Sequence, residues 1–263
     1  MCSPGAKETN EDVEFVPEDP ENFEENYEDF EKLAPAEATV FRGLAATANY
    51  LGADRVDLQH AAKELCRLMS APTVGARKKL KHLARYLVGV PELSVCYPWQ
   101  YPPELLVAYV DSDWAGCRRT RKSTSGGIIC HGAHVVKSWS TTQATIALSS
   151  GEAELYANIE GAARLMGAQS LAADLGWSVG LEMHTDSSAG KSIASRQGIG
   201  KVRHLDTKFL WLQQAVFTKR LIVKKIKGTE NPGDVLTKYL SANEMQRVLE
   251  AYGLILRRSA SCS

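Results

Sequence analysis

The hydrophobic pattern of this chain changes at a proline-rich stretch, YPWQYPPE, residues 97–104. Before it, from Ala36 to about Val90, apolar residues recur every three or four positions, which predicts two or three helices. After it, short apolar runs such as LLVAYVDS, residues 105–112, alternate with helical segments. Strands followed by alternating strands and helices predict an α/β layer with a mixed sheet. We therefore interpret the proline-rich stretch as a hinge between two domains.

After the hinge, the spacing of apolar residues changes between a two-residue period, which predicts strands, and a 3.6-residue period, which predicts helices. The predicted elements are a strand in 105–112, two strands in 126–140 turning at His131 and Gly132, a strand end at 145–149 with a long helix to 176, a strand ending at 187, a helix in 187–196, a helix in 204–216, a strand in 221–228 and a last helix from about Asp234.

Acidic and basic residues are unevenly distributed along the chain. Of 31 acidic and 31 basic residues, 12 acidic but 2 basic ones lie in residues 1–35, which leaves 19 acidic and 29 basic residues after them. Such a basic body is typical of proteins that contact a polyanion. A solvated basic surface on an ordinary globular domain explains the same excess.

The N-terminal arm, residues 1–35, is acidic, punctuated by prolines and poor in aliphatic residues. Burial cannot offset the entropy of ordering such a segment, so we expect it to be largely disordered. A solvated tail is the simplest interpretation, and an occupant of a basic groove is the other.

Targeting signals and cysteine clusters are missing from the sequence. It contains no run of eighteen apolar residues and no basic, apolar leader, so we expect neither a membrane span nor a secretory signal. The six cysteines are scattered, which argues against a zinc site and a disulfide framework. An intracellular protein of cytoplasm or nucleus is predicted.

Three acidic residues stand at the ends of apolar segments. Asp111 ends LLVAYV, Asp186 follows LEMHT, and Asp234 opens the helix after LIVKKIKGTENPG. Ligands bind at the strand ends along one edge of an open α/β sheet. Each acid also has a structural explanation, since Asp234 could cap a helix and Asp186 could open a turn.

A fourth acid is expected from the helix SSGEAELYA, which offers Glu152 and Glu154. Ser149 and Glu152 have the spacing of a capping box, so Glu152 has a structural role available. Glu154 has no such local partner and is our candidate. Four carboxylates without a cysteine or histidine set favour Mg²⁺ or Mn²⁺ over zinc. Two such ions can clamp both the attacking water and the leaving oxygen of a phosphodiester, which indicates phosphodiester hydrolysis.

Five motifs in this order resemble the ribonuclease H domain of Ty1/copia-type retrotransposon Pol polyproteins. They are YVDSDWAGCRRTRKSTSGG, SSGEAELYA, TDSSAGKSIA, RHLDTKFLWLQ and NPGDVLTK. The resemblance covers roughly Leu106 to Leu240. The helical segment before the hinge resembles the end of the reverse transcriptase that precedes this domain in copia elements.

The resemblance implies a fold and an activity. The fold is α/β, ribonuclease H-like, with a five-stranded mixed sheet whose first three strands are antiparallel, flanked by helices. The activity is cleavage of the RNA strand of an RNA/DNA hybrid with two Mg²⁺ ions, Mn²⁺ being the alternative. In it Asp111 bridges both ions, Glu154 and Asp186 hold the ion near the leaving group, and Asp234 holds the ion that activates water.

The resemblance also implies residues that contact the hybrid. Ser150 and Gly151 at the helix start and Ser187 after the third acid match contact positions, with helix capping and turn formation as the alternatives. A basic stretch following the catalytic strand is a candidate for phosphate contact, with nuclear import or plain solvation as alternatives; it contains Arg118, Arg119, Arg121 and Lys122.

The loop before the fourth acid departs from the family. Many relatives carry a histidine there, whereas this loop reads KGTENPG, with Glu230 in the region and His204 as the alternative nearby in sequence. Slow turnover is therefore expected. The chain is expected to be part of, or derived from, a retrotransposon polyprotein, with a reverse transcriptase region as a second partner. A catalytically silent nucleic-acid-binding fragment is the alternative function.

Four segments follow from these patterns. They are the acidic arm 1–35, the helical segment 36–100, the ribonuclease H-like domain 101–241, and a C-terminal helix and tail 242–263.

Overall fold

The computed structural model describes residues 27–196, 198 and 210–258. Most of the predicted acidic arm and His204 therefore lie outside the described residues. The chain divides into two compact units, one formed by residues 1–96 with 238–263 and the other by residues 97–237. None of the described helices is long and apolar enough to cross a bilayer.

The first unit contains three helices before the hinge, where two or three were predicted, and a small two-stranded sheet. Its elements are α1 (Pro35–Leu51), α2 (Val56–Cys66), α3 (Val74–Gly89), β1 (Glu92–Val95), α8 (Ala242–Ala251) and β7 (Leu254–Arg257), preceded by a 3-10 turn, Tyr27–Phe30. The largest fully buried side chains of its core include Phe41, Leu58, Leu83 and Leu249.

The C-terminal segment belongs to this first unit. Strand β7 pairs antiparallel with β1, with Glu92 opposite Arg257 and Val95 opposite Leu254. The predicted segment 242–263 therefore contains a strand as well as a helix, and it folds with residues far away in the sequence. Four-residue strands carry too short a pattern to be recognised by their period.

The second unit is built on a five-stranded mixed sheet. Its elements are β2 (Leu105–Asp113), β3 (Thr124–His131), β4 (His134–Thr142), α4 (Ser150–Asp174), β5 (Gly180–Thr185), α5 (Ser188–Ser195), α6 (Trp211–Phe217), β6 (Ile222–Lys225) and α7 (Asp234–Thr237). The strand order is β4-β3-β2-β5-β6. Strands β2, β3 and β4 are antiparallel neighbours, and β5 and β6 run parallel to β2. This confirms the predicted fold class.

Three local predictions for the chain after the hinge are wrong. Residues 145–149 form no strand, because the chain turns after Thr142, where the Gln143 side chain donates to Ser125 Oγ at 3.0 Å and to the Ala153 carbonyl at 2.9 Å. The last predicted helix is two helices, since α7 ends at Thr237 and α8 starts from its own capping box between Ser241 and Glu244. The hairpin turn is Gly132–Ala133, with His131 still in β3.

Helix α4 lies on the sheet through a close contact at Gly161. A Cβ at this position would clash with the Cγ1 atom of Val110, a fully buried residue of the central strand. Protein cores are close-packed, so neither the helix nor the strand can yield without loss of other contacts. The same helix carries Glu154, one of the candidate site residues.

Replacing Gly161 with alanine is expected to lower the free energy of unfolding of this unit by about 2–3 kcal/mol, because the added methyl overpacks the core. All five tryptophans lie in residues 97–237, so tryptophan fluorescence during urea unfolding reports this unit. Gly167 on the same helix is exposed, and a Cβ added there would meet nothing within 4 Å. Gly167→Ala is the matched control and should stabilise by about 0.5–1 kcal/mol through helix propensity alone. Equal effects of the two variants would contradict the packing argument.

Candidate active site

Asp111 and Asp186 are brought together by the register of two parallel strands. Val110 of β2 lies opposite Thr185 of β5, and each aspartate is the next residue of its chain. Their side chains therefore extend from the carboxyl ends of neighbouring strands. Asp111 is 3% exposed, whereas Asp186 is half-buried. At this edge of the sheet, Asp111 is shielded from solvent and Asp186 is accessible to it.

Asp234 reaches the same edge through a tightly held loop. The buried Asn231 side chain donates to the Val110 carbonyl at 3.0 Å and accepts from the Gly233 amide at 3.0 Å. A Cβ on Gly233 would lie 2.8 Å from Asp111 Cβ, so glycine is needed for this approach. The loop thus attaches the start of α7 directly to the end of the central strand.

Thr237 at the end of α7 holds the central acid in place. Its hydroxyl donates a hydrogen bond to Asp111 Oδ2, and both residues are buried. Thr237 and Asn231 both lie in the NPGDVLTK motif, which is the one signal in the sequence for their roles.

Glu154 enters the site from the second turn of α4. It is 6% exposed, and within the described residues its Oε2 atom is buried without a hydrogen-bond partner. Burial, together with the negative charges of Asp111 and Asp186, raises the pKa of Glu154 to about 8. Hydrogen bonds with Ser112 lower the pKa of Glu154 but do not outweigh this rise. A buried carboxylate oxygen without a partner is costly, which favours the protonated form or a bound cation.

Glu152 differs from Glu154 because its carboxylate is satisfied within the protein. It accepts from the Leu148 amide at 2.9 Å and from the Tyr156 hydroxyl at 2.7 Å. Ser149 caps α4 by accepting from the Glu152 amide at 3.2 Å. The Glu152 carboxylate thus reaches the amide of Leu148, one residue before the cap, whereas a strict capping box requires the amide of Ser149.

The acids form a group that could hold a divalent cation. Among the described residues, one carboxylate oxygen each from Asp111, Asp186 and Asp234 lies within 4.8 Å of the others. Glu154 is not part of this group of three, but its charge interacts with Asp111 and Asp186, and its buried Oε2 atom has no hydrogen-bond partner in the described part of the chain. An all-oxygen donor set of this kind suits Mg²⁺ or Mn²⁺, which is consistent with the cation expected from the sequence.

Replacing Asn231 with alanine is expected to reduce the free energy of unfolding by about 2–3 kcal/mol, since two buried hydrogen bonds to the loop and to β2 are lost. Binding of Mn²⁺, measured by calorimetry on the folded variant, should also weaken because Asp234 is no longer fixed. Gln214→Ala removes an exposed amide from α6 and is the control, with an expected change within about 0.5 kcal/mol. Unchanged stability and Mn²⁺ affinity in Asn231→Ala would show that the loop does not depend on this side chain.

The predicted hybrid contacts lie at helix starts. Ser150 is exposed at the first position of α4, directly after the cap Ser149. Gly151 is half-buried, and a Cβ there would be 3.2 Å from Ala189 of α5. Ser187 caps α5, because its hydroxyl accepts from the Gly190 amide at 2.9 Å. Ser150 is therefore not the helix cap, whereas Ser187 has a clear structural role.

The basic stretch is the loop between β2 and β3, which leaves the sheet at the end that carries Asp111. The side chains of three arginines in it are exposed and that of Lys122 is half-buried; the arginines are Arg118, Arg119 and Arg121. Arg121 has a positive φ of 54°, so the loop bends sharply there.

The loop before Asp234 passes close to the acids. A Cβ on Gly228 would lie 3.1 Å from Asp186 Oδ2. Glu230, at the end of the same 3-10 turn, is exposed and forms a 3.8 Å ion pair with Lys227. The loop is thus placed where a histidine is expected in relatives, but the acidic side chain within it is directed to a lysine. His204 lies outside the described residues.

Comparisons with known proteins find that the chain is similar to transposon polyproteins. No family model matches it. It is 27% identical over 202 residues to the retrovirus-related Pol polyprotein from transposon TNT 1-94 of Nicotiana tabacum, covering 76% of this chain and 15% of that protein. It is 27% identical over 220 residues to the corresponding polyprotein from transposon RE2 of Arabidopsis thaliana, covering 82% of this chain and 15% of that protein. The chain thus spans about one seventh of the length of these relatives.

A solved structure, LC11-RNase H1 isolated from compost, matches with a TM-score of 0.40 and 18% identity, covering 51% of this chain and 93% of that one. The fold itself is evident from the strand order and from the antiparallel arrangement of the first three strands. The chain is therefore similar to retrovirus-related Pol polyproteins of transposons, and residues 97–237 have a ribonuclease H-like fold.

Proposed function

We propose that this protein hydrolyses the RNA strand of RNA/DNA hybrids in a reaction that depends on divalent metal ions. The observation that carries the proposal is the meeting of Asp111, Asp186 and Asp234 within 4.8 Å at the strand ends, beside a buried Glu154 oxygen that lacks a partner in the described chain. A structural role explains each acid alone. It does not explain why a folded protein concentrates four carboxylates in one place, where they repel each other.

The four acids would hold the metal ions, Mg²⁺ or Mn²⁺, through their oxygen atoms. When bound, such ions lower the pKa of a coordinated water and neutralise charge that develops on the phosphate. They would also stabilise the ionised form of Glu154, whose pKa is raised in their absence. We assign no covalent nucleophile to the protein.

The surrounding residues position the acids for this reaction. Thr237 fixes the orientation of Asp111 by its hydrogen bond, and Asn231 with Gly233 holds the start of α7 against β2. Asp186 and Asp234 are half-buried, so the substrate phosphate and water would approach from their side. A rigid carboxylate set lowers the reorganisation needed in the transition state.

Hybrid recognition would depend on shape and backbone rather than on base sequence. Proteins read such duplexes through phosphates and 2′-hydroxyls across the shallow minor groove. The exposed arginines of the β2–β3 loop lie at the end of the sheet that carries Asp111, and the exposed Ser150 lies at the start of the Glu154 helix. Small polar groups at a helix start allow a phosphate or sugar to approach the amide dipoles.

A cleavage assay on a hybrid labelled on its RNA strand tests the proposal. We expect RNA fragments in Mg²⁺ or Mn²⁺, none with a chelator, and no cleavage of the same RNA as a single strand. Salt-dependent binding of the hybrid without fragments in either metal would support the alternative of a silent binding module. Absence of both binding and cleavage would contradict both functions.

A further inference from the structure

Asn158 is a buried amide that the four-carboxylate site does not explain. It lies on α4 and is fully buried, and within the described residues neither its Oδ1 nor its Nδ2 atom has a hydrogen-bond partner. Leaving both ends of a buried amide unpaired is costly, because the group gives up its bonds to water without replacing them. An apolar side chain would avoid this cost, so the presence of an amide at this position needs another reason.

Asn158 lies on the same face of α4 as Glu154. The two residues are four positions apart, which is the spacing at which helical side chains are neighbours. Both are buried, and the face continues along the helix through the buried residues Gly161, Ala162 and Leu165. Because side chains on a helix lean toward its N-terminus, the Asn158 amide extends toward the turn that carries Glu154.

Gly190 of α5 shows that the two side chains border the same small space. A Cβ at Gly190 would lie 2.8 Å from Asn158 Nδ2 and 3.1 Å from Glu154 Cβ. The Cβ of Ser187 would be 3.3 Å away, but the Ser187 hydroxyl already accepts from the Gly190 amide at 2.9 Å. A glycine at this position thus lets α5 cover the amide and the acid together.

The carboxylate of Glu154 has an oxygen to offer this amide. Ser112 forms hydrogen bonds with the carboxylate, whereas the Oε2 atom is buried and has no hydrogen-bond partner in the described part of the chain. The amide nitrogen of Asn158 is likewise without a partner there. A donor and an acceptor that are both buried and both unpaired therefore lie one helical turn apart.

We propose that Asn158 is a positioning residue, which donates a hydrogen bond from Nδ2 to the ionised Glu154 carboxylate and holds it toward the metal ions. This role rests on the proposed function, because it requires Glu154 to bind a cation. Both residues belong to one helix, so the bond needs a change of side-chain torsions and no movement of α4.

An amide suits this role better than a charged donor. It has two N–H donors and no charge, so it orients the carboxylate without neutralising it and without repelling the cation. A hydrogen bond to the charged form of an acid favours that form, which is the form that binds metal. Hydrogen-bonding partners of this kind fix the orientation of metal-binding side chains in proteins.

Calorimetric titration of the full chain with Mn²⁺ tests the role without relying on cleavage. Asn158→Ala should weaken Mn²⁺ binding about tenfold, because the carboxylate loses the donor that orients it. Alanine is the best helix former and removes an unpaired amide, so the variant should fold, which tryptophan fluorescence during urea unfolding checks.

Leu165→Met is the matched control for the packing of α4. Leu165 is fully buried on the same face of the helix, and the change conserves its volume. This variant should alter the Mn²⁺ affinity by less than about twofold. An equal loss of affinity in Leu165→Met and Asn158→Ala would overturn the proposal, because it would assign the effect to packing.

Combination with Glu154→Gln tests whether Asn158 acts through Glu154. In that background Asn158→Ala should change the Mn²⁺ affinity by less than about twofold, since the carboxylate to be oriented is gone. A tenfold loss in both backgrounds would overturn the proposal, because Asn158 would then act on the site by another route.

Two outcomes separate the role of Asn158 from the proposed function. If the wild type and Asn158→Ala bind Mn²⁺ equally well, Asn158 is not a positioning residue, while the metal site stands. If the wild type binds no Mn²⁺, the metal site and the role of Asn158 both fail. In single-turnover cleavage, Asn158→Ala should raise the Mg²⁺ concentration for half-maximal rate about tenfold and change the rate at saturating Mg²⁺ by less than about threefold. The opposite pattern would contradict a role in holding the metal ligand.

Discussion

Asp111→Asn is expected to reduce the rate of hybrid cleavage by about 10³-fold or more, because several kcal/mol of metal-assisted charge stabilisation are lost. Asparagine has the same shape, and its side-chain oxygen can still accept from Thr237. The unit should therefore fold as before, with unchanged tryptophan fluorescence and hybrid binding in chelator. A single-turnover assay in Mg²⁺ measures the effect on the chemical step.

The size of this effect follows from the place of Asp111 in the site. It is the most buried of the three aspartates and lies at the end of the central strand. Thr237 occupies its Oδ2 atom, and Gly233 approaches its Cβ closely. The hydrogen bond from Thr237 and the close approach of Gly233 are not needed for stability, since apolar residues would fill this space at a lower cost in desolvation. Both are expected if Asp111 holds a cation, as proposed.

Asp113 provides the matched control on the same strand. It lies two residues beyond Asp111, and its Oδ1 accepts from the Gly116 amide at 2.7 Å, which closes a turn. Asp113→Asn should change the cleavage rate by less than about threefold, since an amide oxygen can accept the same bond. Cleavage within tenfold of wild type in Asp111→Asn would place the reaction elsewhere. Equal losses in both variants would indicate a general effect of charge near the strand end.

The meeting of the aspartates at one sheet edge could be predicted from the sequence because each stands next to a strong local signal. Asp111 and Asp186 follow apolar strands, and neighbouring parallel strands bring their ends together. The S-x-x-E spacing alone distinguishes Glu154 from Glu152, and Glu152 does have other partners in the structure. The local sequence pattern therefore predicts the position of a candidate residue when that residue directly follows a strand or lies at the start of a helix.

The supporting residues could not be predicted in the same way. Thr237 bonds to Asp111 across 126 positions, and Asn231 bonds to Val110 across 121. No local pattern records such contacts, which depend on the loop folding back over the sheet. The pairing of β1 with β7 has the same character, since each strand has four residues and a long stretch of chain separates them. These features arise from tertiary packing, which outweighs local preference.

Glu154→Gln is expected to stabilise the metal-free protein at pH 8 by about 1–3 kcal/mol while abolishing metal-dependent cleavage. The pKa of Glu154 is about 8 in the fold against an ordinary value of 4.5, chiefly through burial and then through Asp111 and Asp186. Between these two values the folded state binds more protons than the unfolded state. The free energy of unfolding of the wild type should therefore fall as the pH rises from about 4.5 to 8.

Glutamine cannot ionise, so the variant should lose this part of the pH dependence and remain nearly as stable at pH 8 as at pH 5. Urea unfolding in chelator, followed by tryptophan fluorescence at both pH values, measures the difference.

Glu160→Gln on the same helix is the control, because Glu160 is only partly buried and pairs with Arg164 at 2.7 Å. Its change in the free energy of unfolding should stay within about 1 kcal/mol. Saturating Mg²⁺ should reverse the order of wild type and Glu154→Gln, since the cation stabilises the ionised carboxylate that the variant lacks. If the two proteins keep the same order with and without Mg²⁺, Glu154 is a strained structural acid and not a metal ligand.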